Sequence, residues 1–344
     1  MSTPEHLARS AAPRLPQPRL PQSGRVWRVQ PRFAAIWLAL LALLLFCAVF
    51  VPRSLLPSSV LAILPLAAFL AIAACGEALV LMARGIDLSV PAVITLASTL
   101  VLGVSGGSNG ALIPALAAAL AAAFAVGVVN GVCVAVLELN ALIVTLSIAA
   151  VTSGLTLWYR QALPEEARVP PGLAGWGDLR LLGINVAVWV AVALVAVLTV
   201  LLRRGTIGRR FCAVGANPLA AWIAGIDVRL YQVAAYAVAA VLYAVAGILL
   251  SAFIRNPTLR VGDPYLLAPI AAAVLGGTAI SGGIGSMIAV AGAALFLTQL
   301  GQVLKMLGLS TALQFIVYGA AIALGMALAE SKFSPRRLLR ALRR

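Results

Sequence analysis

The segment RRGTIGRRFCAVGANPLAAWIAGIDVR, residues 203–229, lies between two apolar runs that are each long enough to cross a lipid bilayer. It has four arginines in its first eight residues and is interrupted by glycines and a proline, so it does not itself cross a membrane. The order apolar, polar, apolar predicts two membrane-spanning helices joined by a segment that lies at the membrane surface.

The composition extends this pattern to the whole chain. Of its 344 residues, 62% are hydrophobic and 10% are charged, and the mean hydropathy is +1.06. These values exclude a soluble globular protein. The apolar runs contain Gly, Ala and Pro at full helical length, which excludes the alternating strands of a β-barrel. The predicted fold is an all-α polytopic membrane protein with about ten transmembrane helices, over residues 33–51, 58–83, 88–104, 111–137, 141–159, 184–202, 230–254, 265–280, 286–304 and 309–329.

The position of the positive charge predicts the topology. Six arginines lie in residues 1–32, five in 203–229 and six Lys or Arg in 330–344, whereas the loop 160–183 has three of each sign. Basic clusters beside apolar runs remain on the cytoplasmic side and contact anionic lipids. We therefore expect no nucleic-acid binding, cytoplasmic termini, a disordered basic tail at 1–32, a basic tail at 330–344, and a transmembrane domain over 33–329.

The sequence GIDLS, residues 85–89, joins the second and third runs. Gly85 permits a tight turn, and Asp87 or Ser89 can cap the next helix. A capped helix start alone explains these residues equally well.

Residues 76–90, GEALVLMARGIDLSV, resemble the membrane permeases of ATP-binding-cassette importers for ribose and other simple sugars. Pro91 stands where that family usually has Gly, and Glu77 where Gln, Met or Thr is common. The resemblance extends over about 60–330, because further family blocks follow in the same order, at 130–131 with 143–146, at 205–228 and at 270–285. An acidic stretch of the family is replaced by LLAPI at 266–270.

The resemblance implies one permease subunit of an importer in the cell inner membrane. Its partners would be a second permease copy or paralogue, two cytoplasmic ATPase subunits that use ATP and magnesium, and an extracytoplasmic sugar-binding protein. The chain has no G-x-x-x-x-G-K-[ST] phosphate loop, so it cannot hydrolyse ATP by that route. We therefore predict a transport subunit that is not an enzyme and holds no cofactor or metal.

Within 203–229, a short coupling helix is predicted at about 217–224. Asn217 would cap it, Pro218 would occupy its first position and Gly225 would end it. The resemblance assigns contact with the ATPase to this block, and the alternative is a helix lying on lipid, for which Trp222 is equally suited. The predicted coupling residues are Gly215, Asn217, Pro218, Ala220, Ala221, Trp222 and Gly225.

Two further groups of residues are predicted to matter. Glycine-rich turns would permit close backbone approach or a hinge, although a simple turn is the alternative. Their residues are Gly276, Gly277, Thr278, Gly282 and Gly283. A structural role is also predicted for Gly85, Asp87 and Ser89 in the turn at 85–89. Polar groups inside spans are candidates for the translocation path, namely Glu77, Thr95, Thr145 and Gln299. The alternatives are a pairing of Glu77 with Arg84 and hydroxyls bonded to their own helices.

Two other function classes have less support in the sequence. A stand-alone secondary transporter or channel needs coupling-ion groups inside its spans, and Glu77 is the one candidate. A membrane-embedded enzyme needs a cluster of His, Cys, Asp or Glu at ligand or nucleophile spacing, and the sequence has none.

Overall fold

A computed structural model describes residues 31–164 and 167–310, together with 312, 313, 316, 317, 319, 320 and 323. The long helices are α1 (Pro31–Phe50), α2 (Pro57–Met82), α3 (Val90–Ser105), α4 (Leu112–Ala135), α5 (Ala141–Gln161), α7 (Val186–Arg204), α10 (Val228–Ile254) and α12 (Met287–Met306). The short elements are α6 (Pro171–Asp178), strands β1 (Arg180–Leu181) and β2 (Ile184–Asn185), α8 (Thr206–Ala216), α9 (Pro218–Ile223) and α11 (Ala268–Leu275).

Seven helices in the described part of the chain are long and apolar enough to cross a membrane, which confirms the predicted all-α polytopic class. Two other predicted spans, 88–104 and 265–280, form the shorter helices α3 and α11. The predicted last span, 309–329, lies largely outside the described residues, as do the predicted tails apart from the start of α1. The count of about ten therefore stays a prediction.

Prolines and glycines explain the shorter helices. Pro91 lies in the first turn of α3, where its missing N–H is not needed, so it starts this helix and does not kink it. The helix α11 ends after eight residues because Gly277 has φ 82° and the N–H of Thr278 donates to the carbonyl oxygen of Ala273. Pro65, by contrast, lies inside α2, which continues past it without a break.

The two central helices are α2 and α10, which pack against each other. Around them, α7, α11 and α12 contact α2, while α3 and α4 contact α10. The helix α4 meets α10 through Gly127 and Gly131, where a methyl group would lie 2.6 Å from the carbonyl oxygen of Tyr236 and 2.7 Å from the Cα of Val233. The two glycines, four residues apart on one face of α4, are required here because a larger side chain would prevent this approach.

The segment 203–229 contains two helices, and the longer one was not predicted. After α7 ends, α8 folds back on it because Gly208 faces the backbone of Leu201 and Leu202 with no room for a side chain. Phe211, Val214 and Gly215 are buried against the bundle, and Arg209 and Arg210 are exposed. We call the end of the bundle that carries α8 and α9 the arginine face.

At the opposite end, the predicted polar loop 160–183 contains α6 and the first strand of a two-stranded antiparallel hairpin. Gly177 of α6 packs against the backbone of Ala252 near the end of α10. Asp178 forms a salt bridge with Arg255 at the same place. These contacts attach the connection between α5 and α7 to the central helix.

Candidate functional site

The helix α9 has the geometry that its sequence predicts. The Asn217 Oδ1 accepts the N–H of Ala220 at 3.0 Å, and Pro218 follows in the first turn. Gly225 has φ 76°, and the N–H of Ile226 donates to the carbonyl oxygen of Ala221 at 3.0 Å. This arrangement satisfies groups that a helix of only six residues otherwise leaves unpaired at both ends.

Three large apolar side chains project from α9. Leu219, Trp222 and Ile223 have relative exposures of 66%, 68% and 72%, whereas Ala221 is buried at 4%. Ala220 lies on the exposed side. The helix is therefore anchored by Ala221 and presents an apolar surface away from the rest of the described chain.

Three segments that are distant in sequence meet behind α9, at what we call the junction: residues 82–85, 215–216 and 282–283. The Arg84 Nε donates to the carbonyl oxygen of Gly215 at 2.7 Å, and its Nη2 donates to that of Ala216 at 2.7 Å. The N–H of Gly283 donates to the carbonyl oxygen of Met82 at 2.8 Å. Arg84 thus holds the last carbonyl groups of α8 directly before α9 begins.

The junction is closely packed because it is built largely of glycine. A methyl group on Gly215 would overlap the carbonyl oxygen of Met82, and one on Gly283 would lie 2.6 Å from the backbone nitrogen of Ala216. Gly282 and Gly283 have φ of 90° and 77°, a region that other residues rarely adopt. The predicted close backbone approach at these two glycines is present, and its partner is the end of α8.

The junction unites sequence blocks whose mutual contact was not predicted. The sequence suggested Arg84 only as a partner for Glu77, but in the structure its side chain donates to the carbonyl oxygen of Gly215. A single arginine at the end of an apolar run was the available signal, but its partner lies 131 residues away.

The turn at 85–89 differs from its prediction in two respects. Arg84, with φ 69°, adopts the left-handed conformation, whereas Gly85 is needed because the hydroxyl of Tyr236 occupies the space of a side chain. Ser89 does not cap α3. Instead, its N–H and Oγ both donate to Asp87 Oδ1, at 2.8 and 2.6 Å.

Burial and hydrogen bonds act in opposite directions on Asp87. Burial raises the pKa of its carboxyl to about 6, and the hydrogen bonds from Ser89 lower it by less. The Asn130 Nδ2 donates to Ser89 Oγ at 2.9 Å, which ties the turn to α4. Asn130, from the sequence block at 130–131, therefore helps to hold this turn in place.

Two of the predicted path residues also hold this turn. Glu77 is fully buried; its Oε2 accepts the hydroxyl of Tyr243 at 3.1 Å and its Oε1 accepts the N–H of Asp87 at 3.4 Å. Thr145 Oγ1 accepts the N–H of Leu88 at 3.1 Å. These contacts account for both side chains as supports of the turn.

The remaining predicted residues lie elsewhere. Thr95 Oγ1 donates to the carbonyl oxygen of Pro91 and accepts the N–H of Gly262, and Gln299 Nε2 donates to the Cys47 sulfur at 3.7 Å. Gly276 packs against Val290 of α12, and Thr278 is buried. The structure therefore does not gather the four predicted path residues at one site.

A cavity of about 430 Å³ lies at the end opposite the arginine face, between α2, α10 and α12. Thr298, Gln302 and Lys305, spaced to lie on one side of α12, bring polar groups to an otherwise mostly apolar wall. The Gln302 Oε1 is buried without a hydrogen-bond partner. These three residues were not predicted, because residue spacing along α12 does not show which of its polar side chains line a cavity. Gln299, which was predicted, does not line this one.

Comparison with known proteins agrees with this architecture. The ribose import permease of Bacillus subtilis (strain 168) is 34% identical over 297 residues, which cover 86% of this chain and 92% of that protein. The L-arabinose transport system permease of Escherichia coli (strain K12) is 30% identical over 303 residues, covering 86% and 88%. The ribose import permease of the same strain is 33% identical over 265 residues, covering 76% and 82%. No solved structure matches the chain.

A family model also matches the chain over residues 59–326, from α2 to beyond α12. This range contains the junction, α9, the turn at 85–89 and the cavity beside Gln302. The chain belongs to the family of permease components described as branched-chain amino acid transport system / permease component.

Proposed function

We propose that this chain is the permease subunit of an ATP-binding-cassette importer for a sugar or a sugar-like solute. The observation that carries the proposal is the match to ribose and arabinose permeases over about nine-tenths of their length. The family description names branched-chain amino acids, but the relatives just compared are sugar permeases. The alternative of a stand-alone secondary transporter or channel is not favoured.

The arginine face would be cytoplasmic. Arg203, Arg204, Arg209 and Arg210 are all exposed there. At the opposite end, Arg255 and Arg260 pair with Asp178 and Asp263. The loop 160–183 at that end carries three residues of each sign, so the distribution of charge supports the orientation that the positive-inside rule predicts, with both termini in the cytoplasm.

On this face, α9 would contact a cytoplasmic ATPase subunit. Leu219, Trp222 and Ile223 form a small apolar surface on a rigid, capped helix, which suits insertion into a groove on a partner. ATP and magnesium would bind to that partner. A second permease copy or paralogue and an extracytoplasmic binding protein would complete the importer.

The junction would transmit the movement of α9 into the membrane. Because Arg84 bonds the end of α8 to the end of α2, and Gly283 bonds Met82, a displacement of α8 pulls on α2 and on the turn after α11 together. These segments pack with almost no free space, so a small shift is transmitted rather than absorbed.

The cavity beside Gln302 would form the extracytoplasmic part of the solute path. The amide of Gln302, with Thr298 and Lys305, supplies hydrogen-bonding groups on an apolar wall, a combination typical of small-molecule sites.

Gln299 offers a matched comparison on the same helix, because it faces Cys47 and not the cavity. We expect Gln302→Leu to reduce uptake several-fold and Gln299→Leu to leave it nearly unchanged; the opposite order would assign the path to Gln299.

The proposal is tested by reconstitution of the full-length chain in proteoliposomes with its ATPase and its binding protein. Uptake of ribose, arabinose, galactose and leucine is measured with and without ATP. We expect ATP-dependent uptake of a sugar. Uptake by this chain alone would contradict the importer assignment, and uptake of leucine without any sugar would contradict the substrate class.

A further inference from the structure

An apolar groove of about 440 Å³ lies beside the arginine face, between α2, α7, α8 and α10. Its wall includes Leu198, Leu201, Ile207, Phe211, Leu230 and Val238. Among the described residues that line it, Tyr231 supplies the one hydroxyl. The groove therefore offers apolar contact along its length and little hydrogen bonding.

The groove is open toward the outside of the bundle. Leu201, Ile207 and Leu230 have relative exposures of 50%, 67% and 62%, so nothing in the described part of the chain covers these side chains. They lie at the end of α7, the start of α8 and the start of α10, where the helices leave the apolar part of the membrane. An occupant of this groove would thus lie at the boundary between the hydrocarbon and the aqueous phase.

Four arginines stand next to the groove in sequence. Arg203 and Arg204 directly follow the lining residues Leu201 and Leu202, and Arg209 and Arg210 lie between the lining residues Gly208 and Phe211. At ~100° per residue, Arg210 is about 60° around α8 from Ile207. The flexible side chain of Arg210 reaches the mouth of the groove from this angle, whereas Arg209, about 160° from Ile207, lies on the other side of α8.

These arginines have no acidic partner among the salt bridges of the described residues, although Arg229, Arg255 and Arg260 each have one. Among the described residues, the hydrogen bonding of their side chains is limited to Arg209 Nη1, which donates to the carbonyl oxygen of Arg204 at 3.3 Å. Exposed guanidinium groups near the mouth of an apolar groove suit a ligand that is both anionic and apolar. Free phosphate would leave the groove empty, and a neutral lipid would leave the arginines unpaired.

We propose that this groove binds an anionic glycerophospholipid of the surrounding membrane. One acyl chain occupies the groove, and the headgroup phosphate lies against the arginines, which suit phosphate because of their planar paired donors. The lipid contacts α8 on the side away from the junction. Its presence holds α8 against α7 and α10, and so holds the position of α9.

The test uses the full-length purified chain and native mass spectrometry, with palmitoyl-oleoyl phosphatidylglycerol and the matching phosphatidylcholine as probes. We expect preferential retention of phosphatidylglycerol. Arg210→Gln should reduce it at least three-fold, whereas Arg210→Lys should reduce it less. Arg229→Gln is the control, because it removes an equal charge from a residue on the same face that is paired with Glu138.

A second variant tests the groove itself. Ala234 is exposed and lines it, so Ala234→Phe fills it from the surface. The matched control is Ala196→Phe, since Ala196 is also exposed and lines an apolar cavity of about 390 Å³ whose lining residues are not next to any arginine in the sequence. We expect Ala234→Phe, but not Ala196→Phe, to abolish the preference for phosphatidylglycerol. If Ala234→Phe does not insert, Ala234→Leu replaces it.

Three outcomes would overturn the proposal. Equal retention of the two lipids would show that the headgroup is not recognised. Equal loss of retention in the control variants would show that the lipid does not bind in this groove. If Ala234→Phe instead abolished association of two permease chains, the groove would be an interface between copies. None of these results depends on which solute is transported.

Discussion

Arg84 donates a 2.7 Å hydrogen bond through its Nε to the carbonyl oxygen of Gly215, which lies 131 residues further along the chain. The bond joins the residues that follow the central helix α2 to the last turn of α8, which precedes α9. Because Arg84 directly precedes the turn at 85–89, the bond connects that buried turn to the residues before α9.

Arg84→Gln should weaken this connection. The shorter neutral side chain loses both hydrogen bonds from the guanidinium, and we expect a loss of about 1 kcal/mol in stability because the site is partly exposed. Uptake should fall several-fold while ATP hydrolysis by the assembled importer continues. Uptake and hydrolysis in proteoliposomes are compared with those of Arg229→Gln, and parallel loss of both activities in Arg84→Gln would contradict a transmitting role.

Gly215→Ala should destabilise the protein more than Gly225→Ala. The added methyl group on Gly215 overlaps the carbonyl oxygen of Met82, whereas Gly225 faces open space and carries only the cost of its positive φ, about 1 kcal/mol. We expect the Gly215 variant to lose roughly 2 kcal/mol or more. Thermal unfolding in detergent, followed by tryptophan fluorescence, measures the difference; equal melting temperatures would show that the junction yields easily.

Ala220→Arg should weaken binding of the ATPase, and so reduce transport, without unfolding the chain. Ala220 is exposed on α9, so the substitution should change stability by no more than about 0.5 kcal/mol. The long charged side chain would keep an ATPase from the surface formed by Leu219 and Trp222. Co-purification with the ATPase is the measurement, and Leu182→Arg, at the tip of the hairpin on the opposite end, is the control that should retain binding.

Glu77→Leu should lower stability, and Glu77→Gln should largely preserve it. Leucine leaves the hydroxyl of Tyr243 and the N–H of Asp87 without their shared acceptor in a buried site, at a cost of about 1–3 kcal/mol. Glutamine keeps an acceptor oxygen. If Glu77→Leu were instead fully stable but inactive in uptake, Glu77 would belong to the solute path.

Asp87 should make stability depend on pH. Its folded pKa of about 6 is above the unfolded value of about 3.9, so the folded chain binds more protons between these values. The resulting stability is fully present below about pH 4 and is lost as the pH rises through about 6, by up to roughly 3 kcal/mol.

Asp87→Asn keeps an oxygen for Ser89 and cannot titrate, so its melting temperature should change less over this range. Melting curves of the two proteins from pH 4 to pH 7.5, both in a Glu77→Gln background to remove the neighbouring carboxyl, give the comparison. Parallel curves would show that Asp87 does not titrate in the folded chain.

Local sequence predicted those features that depend on neighbours along the chain. The short helix at 218–223 follows from Asn217, Pro218 and Gly225, because capping groups act within a few residues. Gly85 was misassigned, since the steric need for glycine there comes from Tyr236, a distant residue.

The path residues show the same division. Glu77, Thr95, Thr145 and Gln299 are polar groups in apolar runs, which is visible in the sequence, but what each one faces is not. Residue spacing along α12 could not show that Gln302 lines a cavity and Gln299 meets Cys47, because that depends on where α1, α2 and α10 lie.

By itself, the sequence determined that this protein is a helical membrane bundle with a basic surface segment at 203–229, because bilayer thickness and charge act on each run independently of the others. Only the tertiary structure decided that Arg84, Gly215 and Gly283 form one junction and that α8 borders an apolar groove. Contacts between residues more than 60 positions apart depend on how the helices pack, and that packing is set by the shapes of many side chains together.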